Sequence, residues 1–193
     1  PSFYPIWEQI SLPIAAAKDK LDILHCLGNT GPLLFPRKIK LIVTVHDVMF
    51  LKDREFMPKP KSTYQKLGRK YSSMVVPSLV KRVQSITTIS RYSRDDILDT
   101  MPFVDAAKIF VTYQGCDSKF LSDQIVKPSC TVEEVCAHSF ILCLGADDPR
   151  KNTVRAISAF LILVEKYGIK ENLVISGFEN WQTSTAYQLV KEA

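Results

Sequence analysis

Two stretches of the chain combine residue types that can do chemistry. The first is Ile39 to Asp47, Ile-Lys-Leu-Ile-Val-Thr-Val-His-Asp, an apolar, β-branched run that ends in His46-Asp47. Such a run predicts a strand buried on both faces of a parallel sheet. Ligands of open α/β sheets gather at the carboxyl ends of the strands, which puts an imidazole and a carboxylate at a reactive edge. A structural His–Asp pair closing the strand is the simpler alternative. The second stretch is Gly145-Ala-Asp-Asp-Pro-Arg-Lys-Asn-Thr153, between an apolar run and a helical pattern. Backbone donors, the positive end of the next helix, Arg150 and Lys151 together could hold a diphosphate. A solvated loop edge is its alternative. The loop has neither the Gly-Lys-Ser/Thr ending of a P-loop nor a GxGxxG fingerprint. Asp147 and Asp148 are adjacent rather than alternating, as a polar turn would have them.

Other groups narrow the function class. The five cysteines, Cys26, Cys116, Cys130, Cys136 and Cys143, form no CxxC pair, so neither a disulfide framework nor a zinc site is expected. Cys26 and Cys143 lie in apolar runs and read as buried thiols. The net charge is +5, and Lys52 to Arg82 holds nine cationic residues against Asp53 and Glu55. That excess suggests a face, centred on residues 59–82, for phosphates or an anionic membrane surface; a solvated helix is the plain alternative. No module or aromatic platform for nucleic acid accompanies it, so nucleic acid is not an expected partner. No apolar run reaches 18 residues and the opening lacks the pattern of a signal peptide, so a reducing, cytoplasmic setting is expected.

At 193 residues, with 46% hydrophobic and 23% charged side chains, the chain can bury a sizeable core. The elements that must position the two stretches follow an alternating order. Pro1 to Lys20 predicts helical turns interrupted at proline, and Leu21 to Leu27 a strand ending in the turn Gly28-Asn29-Thr30-Gly31-Pro32. Ser62 is placed to cap a helix over 63–84 whose apolar stripe is Tyr64, Leu67, Tyr71, Met74, Val75, Leu79 and Val83. Pro77 within it predicts a kink or two abutting helices. Ser85–Ser90 predicts a strand, Ser93 with Asp96 the cap of a helix Arg94–Thr100, and Lys108–Thr112 another strand. Leu121 to Ala137 is polar and reads as a linker. Beyond it come a buried strand Phe140–Leu144, a helix from Asn152 or Thr153 to Lys166, a strand Asn172–Ser176, and a last helix capped by Thr183 or Ser184. The rhythm is that of βαβ units and mostly parallel sheets.

Four motifs in register carry a resemblance. Val45-His46-Asp47, Thr88-Ile-Ser-Arg-Tyr-Ser93, Tyr113-Gln-Gly-Cys-Asp117 with Phe120, and Leu144-Gly145 with Pro149-Arg-Lys-Asn152 are similar to those of retaining glycosyltransferases of the GT-B type. That large family, the group 1 glycosyltransferases, includes sucrose synthases and bacterial lipopolysaccharide mannosyl- and glucosyltransferases. The resemblance implies two Rossmann-like domains, both incomplete in this chain. Residues 1–120 would be the C-terminal part of the acceptor-side domain, 121–137 an interdomain linker, and 138–193 the beginning of the nucleotide-sugar domain. It also implies a nucleoside-diphosphate-sugar donor, a sugar, glycolipid or polysaccharide acceptor, and no metal or other cofactor. His46 would position the donor sugar, and Lys151, with Arg150 and Gly145, would meet the donor diphosphate. Asp47, Ser90 and Asp117 would be acceptor-side or structural.

One departure stands out. Where the family has an arginine after the glycine matched by Gly145, this chain has Ala146. The family's glycine-rich loop and its pair of donor-binding glutamates would lie outside the chain, so the 193 residues alone are expected to be inactive. A nucleotide-sugar epimerase on the same scaffold and a binding subunit with a degenerate donor site are the competing readings. Attachment to the inner face of a membrane is expected of the transferase.

Overall fold

Leu41, Val43 and Val45 alternate along one strand and the residue just beyond it, and each is at most 1% exposed. Their face is the floor of the core in a computed structural model that describes residues 3–52, 62–118 and 139–192. The chain divides into two compact units, Pro1–Cys116 and Asp117–Ala193. The expected linker at 121–137 and the first part of the basic region, Lys59 and Lys61 included, lie outside the described residues.

In the first unit the helical opening runs as α1 (Tyr4–Ile6), a π-helical turn (Trp7–Ser11) and α2 (Leu12–Lys18). There follow β1 (Ile23–Cys26), β2 (Lys40–Thr44), α3 (Thr63–Val80), β3 (Ser85–Thr88), α4 (Arg91–Thr100) and β4 (Ile109–Val111). The four strands are parallel and lie in sequence order, with Cys26 opposite Val43, Val43 opposite Ile86, and Ile86 opposite Ile109. Leu41, Val43, Ile86 and Ile109 meet Val76, Leu79 and Val80 of α3 and Ile97 of α4 in one apolar cluster. Burying a side chain of this kind contributes roughly 1.5–3 kcal/mol.

The other face of β2 is less fully closed than the strand buried on both faces that the run predicts. It carries half-buried Ile42 and buried Thr44, and Thr44 Oγ1 lies 2.8 Å from Thr87 Oγ1 and 2.9 Å from His25 Nε2. This face is a polar ladder.

The helices also depart from the pattern. Ser62 caps α3 by accepting from Gln65 N–H, as expected, and one continuous helix passes through Pro77. Burial begins only at Val75, and Tyr64, Leu67 and Met74 are exposed. The stripe is real, but among the described residues only its second half is covered. The cap of α4 is Ser90, which accepts from Ser93 N–H; Ser93 is the third residue of the helix and not its cap. Helix formation therefore starts three residues earlier than the Ser93–Asp96 pattern suggested, and Asp96 pairs instead with Lys52.

The second unit contains β5 (Phe140–Leu144), α5 (Thr153–Tyr167), β6 (Asn172–Ser176) and α6 (Thr185–Glu192). The strands are parallel, with Leu144 opposite Ser176. Expected as a buried strand, β5 exposes Ile141, Leu142 and Leu144. Each strand of this two-stranded sheet is an edge, and the buried side chains around it are few, Thr153, Ile157, Ser184 and Ala186 among the described residues. Cys143 is likewise only half-buried, whereas Cys26 is buried. Phe178, Trp181 and Tyr187 stack edge to face with centroids 5.0 and 5.9 Å apart, fastening the segment after β6 to α6.

Candidate active site

His46 is the second residue beyond the end of β2, after Val45 N–H has bonded to Thr87 O at 2.8 Å. The turn after β1 fixes it from two sides. Asn29, in the left-handed region with φ +57°, accepts the His46 backbone N–H on Oδ1 at 2.7 Å. Its own N–H reaches Thr44 O at 2.9 Å, so the turn is stitched to the strand end. His46 Nε2 lies 2.8 Å from Leu27 O. A carbonyl oxygen only accepts, so Nε2 must carry the proton in this contact. In the neutral ring Nδ1 is then left with a lone pair, ready to accept from a hydroxyl.

Asp47 is exposed, and its Oδ1 accepts Met49 N–H at 3.1 Å in a side-chain-closed turn. Among the hydrogen bonds of the described residues His46 and Asp47 are not partners, so the adjacent pair is not a His–Asp couple. Ser90, half-buried at the carboxyl end of the neighbouring strand, is engaged as the α4 cap. The Lys52 ammonium, held in its charged form by the Asp96 carboxylate, ties the segment after β2 to the same helix.

The unit that contains His46 carries the match that decides the family. The profile of Glycosyltransferase Family 4 covers residues 2–120, more than half of the chain. The chain belongs to that family. It is also 23% identical over 180 residues to the O-antigen chain mannosyltransferase B of Escherichia coli. The alignment takes in 91% of this chain and 44% of that protein, so the chain spans less than half of the relative's length.

The loop expected to meet a diphosphate lies in the second unit, beyond the stretch that matches the Glycosyltransferase Family 4 profile. Gly145 is buried where β5 leaves the sheet, and a Cβ on it would stand 2.7 Å from Ile175 Cγ2 and 2.8 Å from Phe178 Cε2. Gly177, at φ +110°, approaches it so closely that a Cβ there would lie 2.4 Å from Gly145 O. The Thr153 hydroxyl bridges Ala146, accepting from its N–H and donating to its carbonyl, both at 3.1 Å. This bridge folds the loop back onto the first turn of α5. A cavity of about 290 Å³ opens there, lined by Ala146, Asp147, Asn152 and Thr153 from the loop and α5, and by Thr185 and Ala186 from α6. The first turns of two helices thus face one space, where the helix ends favour an anion and the carboxylates of Asp147 and Asp148 in the lining oppose it.

The two cations of the loop differ. Arg150 clasps Asp148 with Nε at 3.0 and 3.1 Å and a terminal nitrogen at 2.6 Å. Much of its charge is therefore met inside the loop, and Asp148 acts as the polar turn residue. Lys151 is exposed and forms no ion pair among the described residues. Asp117 is exposed at the start of the second unit.

His46, Asp47 and Ser90 belong to one unit, and Gly145, Arg150 and Lys151 to the other; each group has its own geometry. Among the described residues no three His, Cys, Asp or Glu side chains gather as a metal site. Sequence reasoning missed Asn29, which holds His46. Its signal was present, because an Asn beside Gly28 in a turn is a frequent occupant of left-handed backbone. Glu8 and Gln9, whose side chains hold the same turn, gave no signal, since one helical acid among many polar residues has no distinguishing pattern.

Proposed function

We propose that the protein is a retaining glycosyltransferase of GT-B type, acting in cell-surface polysaccharide or glycolipid synthesis. It moves a sugar from a nucleoside-diphosphate carrier to a hydroxyl acceptor. One observation carries this reading: within the segment that matches the family, His46 sits at the carboxyl end of a parallel sheet with Nε2 tied to Leu27 O. Nδ1 is thereby oriented to accept from a sugar hydroxyl and hold the donor sugar in register. Lys151 and the first turn of α5 would neutralise the charge that builds on the leaving diphosphate as the glycosidic bond breaks. Gly145 keeps that turn close to β6. The name of the mannosyltransferase relative makes mannosyl donors the first candidates.

The chemical step in this reading draws on protein charges and needs no metal ion. Turnover is expected to survive a chelator; loss in EDTA with recovery on adding Mg²⁺ would contradict it. The reading also implies a cytoplasmic enzyme that meets its acceptor at an anionic membrane surface through α3. No described helix is long and apolar enough to cross a membrane.

The test is a binding and turnover screen of UDP-, GDP-, ADP- and dTDP-sugars on the full-length protein. Lys151→Ala should weaken donor binding by about 1.5–3 kcal/mol, the worth of a hydrogen bond to a charged group. His46→Ala should lower turnover by about 100-fold while leaving nucleotide binding in place, the scale of a misplaced reactant. Ala146 and the Arg150–Asp148 clasp favour a second reading, a binding subunit with a degenerate donor site. No binding of any donor by the folded protein would select it.

A further inference from the structure

Glu8 lies in the π-helical turn and is 2% exposed, far from the usual surroundings of a carboxylate. Four side chains donate to it. Tyr4 Oη and Thr30 Oγ1 reach Oε1 at 2.7 Å each, while Gln9 Nε2, at 3.2 Å, and the Tyr71 hydroxyl reach Oε2. Gln9 continues the network, donating to Gly31 O at 3.0 Å and accepting Leu33 N–H on Oε1 at 2.9 Å. Consecutive residues of one turn thus grip positions 30, 31 and 33 of the segment that follows β1. A π-helical turn changes the angular spacing of neighbouring side chains, and such turns recur at functional sites.

What this segment holds is His46. Leu27 accepts from its ring, Asn29 accepts from its backbone, and Thr30 is the next residue along. The segment packs closely on the end of β1, where a Cβ on Gly31 would stand 2.9 Å from Cys26 Sγ. Its position is set on one side by that packing and on the other by Glu8.

We infer that Glu8 is a positioning residue for the reaction, acting through Thr30 and the 27–31 turn to fix the orientation and tautomer of the His46 ring. The consequence for catalysis rests on the role proposed for His46; the coupling between Glu8 and the ring does not. A buried carboxylate with four donors costs desolvation that an apolar side chain would avoid. Holding a turn whose carbonyl and amide must both meet one imidazole gives that charge a purpose.

The experiment is ¹⁵N NMR of the histidine rings in the full-length protein and three variants. Histidine occurs in this stretch only as His25, His46 and His138, and His46→Ala assigns the signal. Wild type should show His46 as a neutral ring protonated at Nε2. Glu8→Gln and Thr30→Val should move that signal toward an average of both tautomers, and Thr30→Ser, which keeps the hydroxyl, should restore it. With the same variants, kcat should fall about 10-fold while donor KM stays within about two-fold, a split that marks lost positioning rather than lost binding. A wild-type His46 signal in a folded Thr30→Val protein would overturn the inference, whether or not Glu8→Gln folds. So would an altered ring signal with unchanged kcat. Absence of sugar transfer by wild type would instead count against the transferase reading, and the ring spectra would still decide the coupling.

Discussion

Gly145 has no room for even a methyl group, and the atoms that crowd it belong to β6 and the segment after it. Gly145→Ala should therefore destabilise the second unit by about 1–3 kcal/mol, the cost of overpacking a well-filled site. Thermal unfolding followed through Trp181 would read this, and an unchanged midpoint would show that the loop can yield. Cys26 makes a prediction of the opposite kind, through its proton. Burial, and then the Glu8 carboxylate, raise its thiol from 9.0 to about 11. Burial together with Glu8 also holds the Tyr4 and Tyr71 hydroxyls above their usual value. In each case the folded state keeps a proton that the unfolded chain releases, so the stabilisation is intact below the unfolded pKa and disappears as pH rises through the folded one. Unfolding free energy of the first unit should thus be steady up to about pH 8.5 and fall above it, with Cys26 leading and the phenols following from about pH 10. Urea titrations across that range test the sign; a stability that rises there would rule the account out.

At the level of elements, the cap of α4 is the clearest single contribution. Ser90→Ala removes the oxygen that accepts Ser93 N–H and should cost about 1 kcal/mol, whereas Ser93→Ala, inside the helix, should cost less. Equal losses in chemical denaturation would contradict the assignment of the cap. These two serines also show what a sequence can and cannot specify. The Ser-x-x-Asp pattern at Ser93 is a valid start signal, but Ser90-x-x-Ser93 is another, and only the end of β3 at Thr88 selects between them. β5 and β6 were legible to the residue, because short apolar runs bounded by loop residues define their own limits. The burial of β5 was not legible, since periodicity reports which side chains are apolar and not what is available to cover them. The same gap explains Tyr64, Leu67 and Met74, correctly spaced on α3 yet exposed. His46 was legible as the end of an apolar strand. Its holders were not, because Leu27 acts through a backbone carbonyl and Glu8 through residues 22 or more positions away.

Over the whole molecule, charge and exposed apolar surface coincide on the first half of α3, where Lys66 and Lys70 lie among Tyr64 and Leu67. Each basic residue near an anionic bilayer contributes about 1 kcal/mol, so a Lys66→Ser, Lys70→Ser double variant should bind phosphatidylserine vesicles roughly 30-fold more weakly. Sedimentation with vesicles at low and high salt would measure it. Binding that ignores both the substitutions and the salt would remove this face from the account. The strand order of the first unit has a bearing on how the protein is made. Among the described residues β1, β2, β3 and β4 pair with their neighbours in the chain, so each new strand finds its partner already made. During synthesis the sheet can grow by one strand at a time as the polypeptide leaves the ribosome, and the longest delay falls between Ile42 and its partner Ser85. Until β3 has emerged, the edge of β2 that will pair with it is open, and over that interval the nascent chain is exposed to misassociation.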